Sequence, residues 1–278
     1  MVEKLVIVFL FFVGCICCDI TAGNVSPTLA IVTGRTATKD YFPRAQAIFR
    51  LGTRLQPAEI DAIYDFLNSK QADNLKILEF NSLKNDLVIV LMRQERYPAK
   101  LSAALLFMYR DKEHHPVWRD YCVQFMGRFY PQATLSDRKL LEQGMREALN
   151  ESSSGIAGTA LIAVNSNLVL CEIPKQYLLD QAYMLVQSEN SKEFVKLTAL
   201  QIGALNGDKR ILPIARQILK NKHSIPLQSS ALAVLGFLGG ENDQETLTHF
   251  SCSSDIRLRA AAQGAQKRIS DRKSHNNH

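Results

Sequence analysis

Thr198-Ala199-Leu200-Gln201-Ile202-Gly203-Ala204-Leu205, Ala231-Leu232-Ala233-Val234-Leu235-Gly236-Phe237-Leu238 and Arg259-Ala260-Ala261-Ala262-Gln263-Gly264-Ala265-Gln266 are three versions of one phrase. Their glycines lie 33 and 28 residues apart. Upstream, Ala160-Leu161-Ile162-Ala163-Val164-Asn165 gives the phrase again, with Asn165 in the glycine place 38 residues before Gly203. Between successive versions runs a second apolar-periodic stretch, Ile211 to Leu219 or Gln244 to Phe250. A helix pair that recurs every ~30–40 residues marks an α-solenoid, because one pair cannot bury both of its apolar faces and must be covered by the next. Ala and Gly let helices approach where their ridges cross, while Leu and Ile fill the space beside them. The expectation is an all-α protein, an α-solenoid (right-handed superhelix) of about six stacked antiparallel helix pairs.

Outward from this phrase the pattern stays helical. Pro43, Pro57, Pro98, Pro116, Pro174 and Pro226 each precede an apolar-periodic stretch, and proline suits a first helical turn, where its missing N–H would have no partner. Ile60, Ile63, Tyr64 and Leu67 form one stripe; Leu101, Ala104, Leu105 and Met108 form another. A third, Ile211, Ile214, Ala215, Ile218 and Leu219, has Asp208 as its expected N-cap. Asn190 and Glu193 have the offset of a capping box before Val195. Val88-Ile89-Val90-Leu91 is the one β-branched run, and it falls inside the helical spacing Leu83, Leu87, Val90, Leu91. About twelve or thirteen helices are expected between Pro43 and Ile269. The repeats read as divergent over 43–150 and regular over 151–269, with a polar linker at 24–42 and a disordered tail at 270–278.

The chain has 278 residues, 46% of them apolar and 22% charged, which excludes disorder along its whole length. Only 14 Gly and 9 Pro exclude a collagen-like or low-complexity chain. The net charge of +6 is spread over many stretches and reads as a solvated mixed surface.

Leu5 to Cys18 carries no charge but is shorter than the roughly 20 residues of a spanning helix. Residues 1–23 therefore read as a secretory signal, the alternative being a short N-terminal anchor that is never cleaved, with Thr21-Ala22-Gly23 as one cleavage site. Phe12-Val13-Gly14-Cys15 is the other, a lipobox-like stretch with Phe12 where leucine is usual and Cys15 as the lipidation residue. Either route predicts an exported protein, periplasmic or lipid-anchored to the envelope, with membrane attachment through the N-terminus in the second case. Export argues against a nucleic-acid partner. Of the remaining cysteines, Cys122 and Cys171 sit in apolar runs and read as small buried hydrophobes; Cys252 completes an odd count with no CxxC pair.

Tyr109 to Gln124 is the chemically richest stretch and contains the only Trp. Arg110, Asp111, Trp118, Arg119, Asp120 and Gln124 are its candidate interaction surface, with Trp118 able to stack on a ring and Arg119 to bind a carboxylate. The competing reading is that the arginines and aspartates stitch two adjacent helix pairs and Trp118 packs their junction. His114-His115 suggests a metal, but adjacent histidines diverge on a helix and Pro116 places them in a loop. Ser152-Ser153-Ser154-Gly155 reads as a helix-joining loop, and Asp61 and Asp65 as a solvated polar face. The chain has no G-x-S-x-G, P-loop or G-x-G-x-x-G pattern, and no catalytic residue, cofactor or metal ligand is expected.

Ser230 to Gly239, continuing through Glu245-Thr246-Leu247 to Asp255-Ile256-Arg257-Leu258-Arg259-Ala260-Ala261, resembles HEAT repeats of the short bacterial type also seen in phycobilin lyases. Asp255-Ile256-Arg257 and Leu235-Gly236-Phe237-Leu238-Gly239 carry the resemblance, which covers residues 156–269. Gln263 and Gln266 depart from it where the family has leucine, as suits a terminal repeat facing water. The resemblance implies a non-catalytic scaffold for an unidentified protein partner in a bacterial envelope. Its alternative is a lyase-like or chromophore-handling enzyme accessory.

Overall fold

Residues 25–36, 39–70, 74–152 and 154–276 are described by a computed structural model, and every regular element among them is helical. The leader, Cys15 and Ser153 lie outside the described residues. The helices are α1 (Pro27–Val32), α2 (Tyr41–Phe49), α3 (Pro57–Asn68), α4 (Ile77–Met92), α5 (Leu101–Arg110), α6 (Pro116–Phe129) and α7 (Leu135–Leu149). They continue as α8 (Ile156–Ser166), α9 (Lys175–Gln187), α10 (Glu193–Leu205), α11 (Ile211–Lys220), α12 (Ile225–Leu238), α13 (Gln244–Ser251) and α14 (Ile256–Asn276).

Local chemistry starts these helices where the sequence marks them. Pro57 and Pro116 occupy first positions, and the side chains of Thr134 and Ser224 accept the Asp137 and Leu227 N–H groups. Asp208, expected as the N-cap of α11, lies two residues before the actual N-cap, Arg210; its side chain accepts the Arg210 N–H at 3.0 Å in the entering turn, which Gly207 makes with φ 80°. The capping box expected at Asn190 does not form, because α10 begins later, at Glu193, with Lys192 at its N-cap.

Each odd-numbered helix packs on the even-numbered helix that follows it, giving seven pairs. The even-numbered helices from α2 to α14 also pack each on the next, forming an unbroken layer. In the odd-numbered layer α5 packs on α7 and α9 on α11. Small residues bring the even layer together. A Cβ added to Gly127 of α6 would lie 2.5 Å from the Ala163 Cβ of α8, and one on Gly236 of α12 would lie 2.9 Å from Ala265 Cα of α14. One apolar core, from Leu29 to Ile269, runs through the whole stack.

The repeat period is written in the hydrogen bonds. Tyr41–Ser82, Gln94–Gly52, Tyr97–Asp137, Tyr109–Glu151, Asn167–Gly127 and Asn206–Asn165 join residues 40–42 apart. Arg210–Asp180, Arg216–Asp243, Ser224–Glu193 and Lys273–Glu241 join residues 27–32 apart. The same module thus extends through residues 43–150, where the sequence phrase fades, and the 40–42-residue spacing persists as far as Asn206 before it shortens.

Two boundaries need correction. The stretch read as a linker, 24–42, contains α1 and the start of α2, and Leu29 and Val32 are wholly buried. Buried Arg44 fixes this first pair by donating from Nε to Val32 O at 2.8 Å, and it raises the pairs from about six to seven. The tail read as disordered is helical as far as Asn276, since Arg272 donates to Gly236 O and Gly239 O and ties α14 to α12.

Candidate interaction surface

The six residues singled out between Tyr109 and Gln124 part company in the structure. Trp118 is fully buried and Arg119 nearly so, which removes both from the surface the sequence assigned them. Arg119 donates from Nε to Tyr109 O at 2.6 Å and from Nη2 to Glu151 Oε1 at 2.5 Å. Glu151 also accepts from Tyr109 Oη at 2.9 Å and Lys112 Nζ at 2.6 Å. A buried guanidinium needs such partners, because an unpaired buried charge is costly. Burial alone would raise the Glu151 carboxyl pKa, but these donors outweigh it and hold it below the usual range. Arg110 is exposed yet forked onto Glu147 at 2.9 and 2.6 Å, and Asp111 meets Lys70 at 2.7 Å. These four residues stitch and pack helix pairs, as the competing sequence reading has it.

Asp120 and Gln124 remain, and both line a groove of about 410 Å³ between α6 and α8. Gly127, Thr159 and Ile162 are also in its wall, and Arg128 stands at its side. Asp120 and Thr159 also line a second hollow of about 260 Å³ that reaches Val117, Gly155 and Phe194 of α10. The Phe194 ring lies over Gly155, where an added Cβ would sit 2.6 Å from it. Ile162 and Phe194 are each about half exposed, at 53% and 52%. Asp120 Oδ1 is buried and has no hydrogen-bond partner among the described residues. Burial pushes the Asp120 carboxyl pKa up, with Thr159 opposing. An acceptor left open in this way favours an incoming donor. Thr159, Ile162 and Phe194 belong to helices in which sequence reasoning finds only the repeat. The signal for Ile162 and Phe194 is a large apolar residue on the exposed side of its helix; Thr159 carries none.

Beneath Trp118 lies a buried cluster that sequence reasoning misses. Lys84 of α4 is fully buried; its ammonium donates to Ser69 O and lies 4.5 Å from the Phe80 ring centre and 5.0 Å from that of Trp118. Burial lowers its pKa to about 7, weakly opposed by Cys122. His114, also buried, reaches Asn68 Oδ1 at 3.4 Å, and its pKa falls to about 4 through burial first and the nearby Lys84 charge second. Burial likewise raises the Cys122 thiol. His115 caps α6 by accepting the Val117 N–H at 3.2 Å, so the paired histidines have separate tasks. Among the described residues, no group of three or more His, Cys, Asp or Glu side chains is arranged to hold a metal ion.

No protein-family model matches this chain, and no curated protein matches it.

Proposed function

We propose that the chain is a HEAT-like repeat scaffold, exported and non-catalytic, that holds an extended segment of a protein partner in the groove between α6 and α8. The right-handed superhelix and a bacterial envelope location belong to the same reading. The observation that carries it is Asp120, whose buried Oδ1 finds no partner among the described residues, on the wall shared by the groove beside exposed Ile162 and the hollow that reaches exposed Phe194. Apolar anchors around a desolvated polar contact are how interfaces gain affinity. The neighbouring titratable groups, Arg110, Asp111, Arg119 and Glu151, are engaged in holding helix pairs together, which supports binding rather than chemistry at this place. Export rests on the N-terminal sequence, where Cys15 lipidation and cleavage near Ala22 are the two routes.

The test uses photo-crosslinking side chains in cells at Gln124, at Ile162, and at exposed Lys139 of α7 as a control. One partner captured at 124 and 162 in constant stoichiometry, and not at 139, is the expected result. Recovery of the chain alone, or equal capture at all three, overturns the reading. Mass spectrometry of the mature N-terminus tests export separately: a diacylated Cys15 or a free Asn24 supports it, and an intact Met1 on a chain recovered from the cytosolic fraction contradicts it.

A further inference from the structure

The largest cavity among those described lies elsewhere, between α3 and α5, and measures about 540 Å³. That is within the ~300–1,000 Å³ typical of small-molecule sites. Its two walls differ in kind. On the α3 side stand Asp61, Tyr64, Asp65 and Asn68, spaced so that one helix face presents all four. On the α5 side stand Ala103, Ala104, Phe107 and Met108. The small alanines leave room, and Phe107 is 59% exposed, a large ring with no core to enter.

The end of the cleft is crossed by a strut, Lys100 Nζ to Asp61 Oδ1 at 2.7 Å. Beyond it a smaller hollow of about 190 Å³ continues over Pro57, Ile60, Tyr97 and Pro98. Tyr64 lines both compartments. Its hydroxyl is buried and finds no hydrogen-bond partner among the described residues. Burial, with Asp61 and Tyr97 adding to it, raises the phenol pKa, so the hydroxyl keeps its proton. Asp61 is held by Lys100, whereas Asp65 makes no ion pair or side-chain hydrogen bond among the described residues.

We propose that the cleft between α3 and α5 binds a small amphipathic organic cation. The ammonium meets the Asp65 carboxylate beside the Phe107 ring, and the apolar body lies along Ala103, Ala104 and Ile60. Three features argue for that class together. The Asp65 carboxylate stands exposed on the cleft wall with no cation of the described residues paired to it. The exposed aromatic face attracts a cation by its quadrupole. The alanine wall and the hollow past Tyr64 accept a methylene chain at the cost of few ordered groups. A neutral apolar molecule would leave Asp65 unused, and an anion would oppose it.

The probes are hexylammonium chloride and hexan-1-ol, titrated into the full chain and followed by ligand-observed NMR. Saturable binding of the ammonium, at least about tenfold tighter than the alcohol, is expected. Asp65→Asn, an exposed position, should weaken the ammonium about tenfold and leave the alcohol unchanged. Ala103→Phe should fill the cleft and abolish both. Absence of saturable ammonium binding, equal affinity for the two probes, or binding indifferent to Asp65→Asn each overturns the proposal. Should Ala103→Phe misfold, the Asp65→Asn comparison decides alone. Crosslinking through the α6–α8 groove is a separate readout, so either site can fail without the other.

Discussion

Lys84 shows how much one side chain can reveal about a core. In the folded protein it is neutral above about pH 7, while an unfolded chain keeps the same lysine charged up to 10.5. Between those values the unfolded state binds the extra proton, so stability rises with pH across that window. Below pH 7 both states are charged and the cost is fully present. His114 acts in the same direction lower down: its folded pKa of about 4 lies below 6.5, so stability falls as pH drops from 6.5 towards 4. Denaturation measured across pH should show both limbs. Lys84→Met should raise stability at pH 7 by about 3 kcal/mol and flatten the upper limb. His114→Gln should flatten the lower one. A Lys84→Met protein less stable than the parent at pH 7 would mean that the bond to Ser69 O outweighs the buried charge.

Glu151 is the converse case. Replacing it with alanine strands the buried Arg119 and removes an acceptor for Tyr109 and Lys112. The expected loss is about 3 kcal/mol, the low end for a buried pair because Glu151 keeps a fifth of its side chain exposed (19%). Denaturant titration checks it, and a loss under about 1 kcal/mol would place this group with ordinary surface pairs. The sequence shows Arg119 and Trp118 as chemistry, but their partners come from another helix pair. Arg119 meets Glu151 32 residues away. Burial at that distance is not written in local spacing. Lys84 is more legible, since it sits on the same helix face as Phe80 and Leu87 and breaks an otherwise apolar stripe.

At the scale of elements, the aligned glycines turn out to have different work. Gly203 faces Ile211 of α11, where an added Cβ would lie only 2.9 Å from the isoleucine side chain, whereas Gly236 faces Ala265 across the even layer. Gly264, in the same register, meets only the end of Arg268 on its own helix, at 3.7 Å. Sequence similarity therefore reveals the stack but not which contact each copy makes. The six-residue α1 is invisible for another reason: a single helical turn and a half has too few positions to show a period. Gly127 lies outside the aligned phrase, yet makes the closest approach in the even layer, with Ala163 backbone 2.8 Å from an added Cβ. Gly127→Ala must push α6 from α8 and should cost about 1–3 kcal/mol. Gly264→Ala adds the same methyl where nothing opposes it and should stabilise by about 0.5–1 kcal/mol through helix propensity. Thermal melts of the two variants should move in opposite directions; equal shifts would refute the packing account.

For the whole molecule, the decisive fact is the reach of its cross-links. Among the described residues the hydrogen bonds that join pairs reach at most the 46 residues between Asn68 and His114, and the even layer packs each helix on the next. Stability is then a sum of pair terms and junction terms, so local opening should depend on position in the stack. The central helices α6, α8 and α10 each have an even-layer neighbour on both sides. The first pair has one, and it rests on two wholly buried side chains of α1 together with Arg44. Hydrogen exchange should accordingly show the highest opening free energies in α6 to α10 and the lowest in α1 and α2. Gly127→Ala should then lower protection in α6 and α8 first, since its strain falls on their shared junction. Protection that is uniform from α1 to α14, and lowered everywhere alike by that substitution, would instead describe one indivisible cooperative unit. The picture of separable stacked pairs, on which a groove between two of them depends for its independence, would then be lost.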